Sequence, residues 1–146
     1  MTNSVAMARK WVEFLVGRPE FPAGDYLRSA FDVAKITRVC DCGCNSVEVE
    51  VPADSGLVPL VSAGGYGPVF EMQFNTADEN CPVAIFVFVG ANGHIASLDV
   101  DYCGNARPMP EEPVLLEPPF HVELSRALLV GRSSAGIGDE PGKASR

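Results

Sequence analysis

Lysine and arginine are missing from the whole stretch between Arg38 and Arg107, which nonetheless carries nine acids: Asp41, Glu48, Glu50, Asp54, Glu71, Asp78, Glu79, Asp99 and Asp101. The flanks are close to balanced, so the formal net charge of -8 arises in the middle of the chain. A field of one sign repels nucleic acid and anionic membrane, and it draws in basic partners and cations. Long apolar runs are also absent, since none approaches the ~20 residues of a membrane-spanning helix. Histidine is scarce: only His94 and His121 occur. Neither has a catalytic context, so a cysteine nucleophile has no evident imidazole to activate it. Both read as surface histidines. No secretory leader is legible, because Arg9 and Lys10 precede only Trp11 to Val16, Glu13 interrupts that run, and no small-residue cleavage site follows. The expectation is a cytoplasmic protein. Its five cysteines, an odd number in a reducing compartment, are then expected to be free thiols without a disulfide.

What the sequence does contain is the patterning of one folded domain. The length of 146 residues suits a single core, and 47% hydrophobic content is too high for a disordered chain. Val5, Ala8, Trp11, Val12 and Leu15 recur at helical steps, with Asn3 or Ser4 as the cap and Gly17 before Pro19 as the end. A second amphipathic helix follows Pro22-Ala23-Gly24, with Asp25 as candidate cap and Leu27, Ala30, Phe31 and Ala34 on its apolar side.

The period then falls to two. Ile36 to Val39 is a short strand; Ser46 to Val51 sets Val47, Val49 and Val51 against Glu48 and Glu50; Val69 to Phe74 sets Phe70, Met72 and Phe74 against Glu71 and Gln73. Residues 52–68 read as a long loop. Its Gly64-Gly65-Tyr66-Gly67 lacks the lysine and the following helix of a phosphate loop. Val83 to Val89 is apolar throughout, as in a central strand, and Ile95 to Tyr102 alternates again. Asn92-Gly93 between them suits a two-residue type I′ turn, which sets Ala91 opposite His94, Val87 beside Leu98 and Phe86 beside Asp99. The proline-rich segment Pro108 to Pro119 reads as an irregular connector, and Phe120 to Val130 as a third helix with Val122, Leu124 and Leu128 apolar. The expected architecture is α+β: an antiparallel sheet of about five strands with two N-terminal helices packed on one face. Residues 1–130 form the domain and 131–146, rich in Gly and Ser, a disordered tail.

The strongest local signal is Cys40-Asp41-Cys42-Gly43-Cys44. In an extended chain its alternate thiols stand roughly 6.5–7 Å apart. A zinc site wants them closer, so the segment must curl, and Gly43 permits a curl. Cys81 or Cys103 would supply a fourth sulfur, with His94 the other candidate. Without metal the same segment is a tight loop of reduced thiols. The second signal is the sheet face opposite the core, on which the alternation places Glu48, Glu50, Glu71, Asp99 and Asp101 around Phe86 and Phe88. Paired carboxylates on a regular sheet are commonly a solvated face. Two exposed phenylalanines in a central strand point instead to a binding patch with an acidic rim, unless the C-terminal segment covers them.

Arg38 to Val47, containing Cys-Asp-Cys-Gly-Cys, and the later Gly93-His94-Ile95-Ala96-Ser97-Leu98-Asp99-Val100 resemble a group of small bacterial proteins of unassigned function. Those carry an Arg-Cys-x-Cys-Gly-Cys-x-Ser/Thr-Val segment and a Gly-x-Leu-x-x-Leu-Glu-Val strand; here Val39 stands between the arginine and the first cysteine. The resemblance implies a bacterial cytoplasmic protein with both segments close in one sheet, and it brings no activity with it. Two functional expectations follow from the residues. One is a non-catalytic acidic binding protein, of inhibitor or immunity type, that neutralises a basic protein partner through the acidic face. The other is a small zinc-binding or metal-sensing protein built on Cys40, Cys42 and Cys44. No constellation supports an enzyme.

Overall fold

A computed structural model describes residues 3–62 and 67–128. Helix α1 spans Val5–Val16 and helix α2 Gly24–Val33, followed by strands β1 (Lys35–Val39), β2 (Val47–Glu50), β3 (Gly67–Thr76), β4 (Val83–Val89), β5 (Ile95–Tyr102) and β6 (Leu115–Leu124). The strands form one antiparallel sheet in the order β1-β2-β5-β4-β3-β6. Among the described residues no helix is long and apolar enough to cross a membrane.

Helix α1 begins where the Ser4 hydroxyl accepts the Met7 N–H at 3.0 Å and ends at Gly17. Its buried stripe is Met7, Ala8, Trp11, Val12 and Leu15. Helix α2 buries Tyr26, Leu27, Ala30 and Phe31. These side chains share one cluster with Val47, Val49, Phe70, Met72, Phe74, Ile85, Val87, Leu98 and Val100 of the sheet. Each large residue so buried is worth about 1.5–3 kcal/mol relative to exposure. Phe14 meets Phe74 edge-on with ring centroids 5.7 Å apart. Arg18 lies over both rings, 5.4 and 5.1 Å from their centroids, and is gripped by Glu20 and Glu117.

The β4/β5 register matches the expected one over most of its length: Val83, Ala84, Ile85, Phe86, Val87 and Phe88 face Tyr102, Asp101, Val100, Asp99, Leu98 and Ser97. The turn itself differs. Gly93 N–H donates to Gly90 O at 2.9 Å and Gly90 N–H to His94 O at 3.0 Å, which leaves Ala91, Asn92 and Gly93 as the loop. Asn92 is absent from the positive-φ residues while Gly93 has φ +82°, so this is a three-residue turn with a left-handed final glycine, not type I′. The extra turn residue shifts Val89 to Ile95, and a bulge at Ala96 restores the far register.

Four further expectations are corrected. The sheet has six strands rather than about five. The segment read as a third helix, Phe120 to Val130, is strand β6 as far as Leu124 and pairs with β3; Phe120, Val122 and Leu124 satisfy a period of two as well as the helical reading. The connector Pro108 to Pro119 is regular in its second half. Pro118 and Pro119 enter β6 because it is an edge strand, and because the pairing jumps from Gln73↔His121 to Asn75↔Leu116 around them. Asp25 sits in the first turn of α2 and does not cap it; Ala23 holds that position without a side-chain bond. The tail 131–146, the end of the third-helix reading and most of Gly64-Gly65-Tyr66-Gly67 lie outside the described residues.

Candidate metal centre and the acidic sheet face

Cys40 to Ser46 connects β1 to β2 as a closed loop, with Cys40 N–H donating to Ser46 O at 3.0 Å. Gly43 adopts φ +105°, the left-handed conformation that lets the chain curl, and its carbonyl accepts the Met109 N–H at 2.8 Å. Asn45 N–H donates to Val100 O at 2.9 Å, and Val100 N–H donates to Ser46 Oγ at 3.1 Å. The loop is therefore stitched to β5, where Val47 lies beside Leu98 and Glu48 beside Ser97.

Helix α1 holds the same loop from beneath. The Asn3 amide donates to Cys40 O at 3.1 Å and to Ser46 O at 2.8 Å. Asn45 is buried, and with its amide assigned so that the oxygen faces the indole it accepts from Trp11 Nε1 at 2.9 Å while its nitrogen donates to Cys44 O at 3.2 Å. Asn3, one of two candidate caps beside Ser4, and Trp11, expected only as core, thus both act on this loop. The amide side chains at Asn3 and Asn45 were the available signal, since a buried amide must find partners.

These constraints bring the three thiols together. The Cys40 and Cys42 sulfurs stand 2.9 Å apart, those of Cys42 and Cys44 3.0 Å apart, and all three lie within 4.8 Å of one another. Cys42 is exposed, Cys40 half-buried and Cys44 buried. Hydrogen bonding from Cys40, then from Cys44, holds the Cys42 thiol below its ordinary value of 9.0. Burial pushes the Cys44 thiol up to about 11. The thiols open into a pocket of about 220 Å³ whose wall also includes Arg38, Ser46, Glu48, Asp99 and Asn105. Three clustered sulfurs of this kind could hold a thiophilic metal ion.

The expected fourth ligands are elsewhere. Cys81 and Cys103 form a disulfide, with Cα atoms 4.0 Å apart. This overturns the expectation of five free thiols and removes both sulfurs from the metal set. The β4/β5 pairing brings them together: it ends at Val83 and Tyr102, and just beyond it Cys103 N–H donates to Pro82 O at 2.9 Å, which sets Cys103 next to Cys81. An odd count left room for one bridge plus the cluster. His94 is no surface residue either. It is buried, and its Nδ1 lies 2.9 Å from Tyr26 Oη, which also accepts the Ile95 N–H at 3.0 Å. Burial lowers the His94 pKa and raises that of Tyr26 to about 12.

The opposite signal is also assembled as its alternation requires. Phe86 lies between Asp99 on β5 and Glu71 on β3, and Glu48 pairs with Ser97. Glu50 lies on the same side of β2, beside Lys35. Both phenylalanines are half-buried rather than exposed, their rings 6.1 Å apart, and β6 lies at the sheet edge rather than over them. Burial raises the pKa of Asp99 and of Asp101, and Glu48 and Asp99 respectively reinforce the shift. Two bases and one acid on this face were not foreseen. Arg38 bridges to Glu48 at 3.3 Å, and His121 lies 3.5 Å from Glu71 and 3.4 Å from Glu123.

No family model matches the chain, and neither a curated protein nor a solved structure was found to match it.

Proposed function

We propose that the protein is a small metal-binding protein whose centre is the Cys40-Cys42-Cys44 loop. The observation that carries this reading is the convergence of three sulfurs within 4.8 Å on a loop pinned by Asn3, Asn45 and Trp11. A loop fixed by outside contacts bears less of the ordering cost when an ion arrives. Zinc held here takes three protein thiolates and a fourth ligand from solvent or a partner, an open arrangement. The test is elemental analysis of purified protein, followed by cobalt(II) substitution monitored by thiolate-to-cobalt absorption. About one ion per chain, lost in Cys42→Ser, is expected. Protein that is metal-free and binds neither zinc nor cobalt with its three thiols reduced refutes the reading.

A second reading is favoured by the Phe86 site, where an aromatic ring sits between the carboxylates of Asp99 and Glu71. It is that of an inhibitor or immunity-type protein that neutralises a basic protein partner through Glu48, Glu50, Glu71, Phe86, Phe88, Asp99 and Asp101. Reversing Asp99 and Asp101 to lysine then slows association and flattens its salt dependence, whereas Phe86→Ala speeds dissociation. Unchanged rates in folded variants remove it.

A further inference from the structure

Building on the metal-binding reading, we propose that the cysteine loop is a site for a trivalent, three-coordinate thiophilic ion with a lone pair, of the arsenite or antimonite class, in preference to tetrahedral zinc. The donor count is the first ground. Among the described residues, the close His, Cys, Asp and Glu ligand atoms at this loop are the three sulfurs. Cys81 and Cys103 are joined to each other, and His94 Nδ1 faces Tyr26. Asp99 lines the pocket but does not belong to the group of mutually close donors.

Compactness is the second ground. The three sulfurs lie within 4.8 Å of one another on one short loop and open together into one pocket, so a pyramidal ion can take all three from one side with its lone pair toward the pocket.

Charge is the third ground. Three thiolates around a divalent ion leave one net negative charge beside Glu48 and Asp99, in a segment of chain without compensating bases other than Arg38. Around a trivalent centre they leave none, and a neutral complex avoids the repulsion. The reaction is a ligand exchange without redox change. Arsenous acid, As(OH)3, loses three As–O bonds and gains three As–S bonds, and the three thiol protons leave with the hydroxides as three waters.

The experiment uses the full chain with its Cys81–Cys103 disulfide intact and the three loop thiols reduced, titrated with sodium arsenite. Mass spectrometry is expected to show one arsenic per chain with three protons lost, and all three thiols become protected from a thiol reagent. Arsenite is expected to displace zinc from the preloaded protein. Cys42→Ser, at an exposed position that leaves the fold intact by circular dichroism, should weaken arsenite binding at least tenfold, while Glu112→Gln, exposed and outside the pocket lining, leaves it unchanged. Binding of zinc or cobalt at the loop without arsenite binding overturns this inference and leaves the metal-binding reading standing. Binding of none of the three overturns both.

Discussion

Gly93 and Gly56 have nearly the same backbone conformation, φ +82° and +81°, but opposite surroundings. A Cβ added at Gly56 meets nothing within 4 Å, whereas one added at Gly93 falls on the Val61 carbonyl oxygen and lies 3.0 Å from Pro59 Cβ. The Gly93 carbonyl also accepts the N–H groups of Leu60 and Val61, at 2.9 and 3.1 Å, which seats the buried side chains of that segment. Gly56→Ala therefore carries only the left-handed backbone term, about 1–2 kcal/mol. Gly93→Ala carries the same term plus overpacking against a backbone atom, about 1–3 kcal/mol. It also weakens two hydrogen bonds worth ~0.5–1.5 kcal/mol each. The expected totals are about 1–2 against about 4 kcal/mol or more, and any effect on the unfolded chain is common to both and cancels. At a urea slope of ~1–3 kcal/mol/M the two midpoints should differ by about 1–2 M. Equal midpoints would refute the argument, since they would show that the Pro59–Val61 segment does not rest on the turn.

Burial depresses the His94 pKa below its ordinary value of 6.5, so the unfolded chain binds the proton more readily than the folded one. Stability from this group is full above that value and is lost as pH falls through it toward the folded pKa. Urea unfolding from pH 8 to 5 should show the wild type losing stability relative to His94→Gln; parallel curves would contradict this. Tyr26→Phe removes the hydroxyl shared by His94 and the Ile95 N–H and should cost about 1–3 kcal/mol. A neutral result would mean that water replaces it. For the cysteines, thiol titration of oxidised, denatured protein should find three thiols, and five after full reduction. Opening the bridge between positions 22 apart should cost about 3 kcal/mol; finding five thiols without reductant would exclude the disulfide.

Both helices and the β4/β5 pairing were legible because each rests on a local pattern with a single period. Trp11 and Leu15, or Val87 opposite Leu98, have one face to bury and one register that buries it. Strand β6 was not legible, because Val122, Leu124 and Leu128 fit both periods and Pro118 and Pro119 argue against any strand unless its edge position is known. The turn at Gly93 failed for a related reason: a three-residue loop with a bulge at Ala96 gives the same distant register as a two-residue loop without one. At the site, the curl at Gly43 could be anticipated from the glycine alone. The hold of Asn3 and Asn45 on the loop could not, because it joins positions about forty residues apart in the chain.

Edge strands expose a row of unpaired amides and carbonyls, a template on which another chain can add a strand and begin an aggregate. In β6 this hazard is compounded by Leu116, Phe120, Val122 and Leu124, all of them exposed. Pro118 and Pro119 interrupt that template, since neither has an N–H to offer, and the irregular pairing around Phe74 bends the strand away from a straight ladder. The opposite edge, β1, carries its own irregularity between Ile36 and Arg38, with Lys35 and Arg38 as charged guards. Replacing both prolines with residues that can donate would leave ten consecutive positions of β6 open to strand addition, and self-association would then rise with concentration.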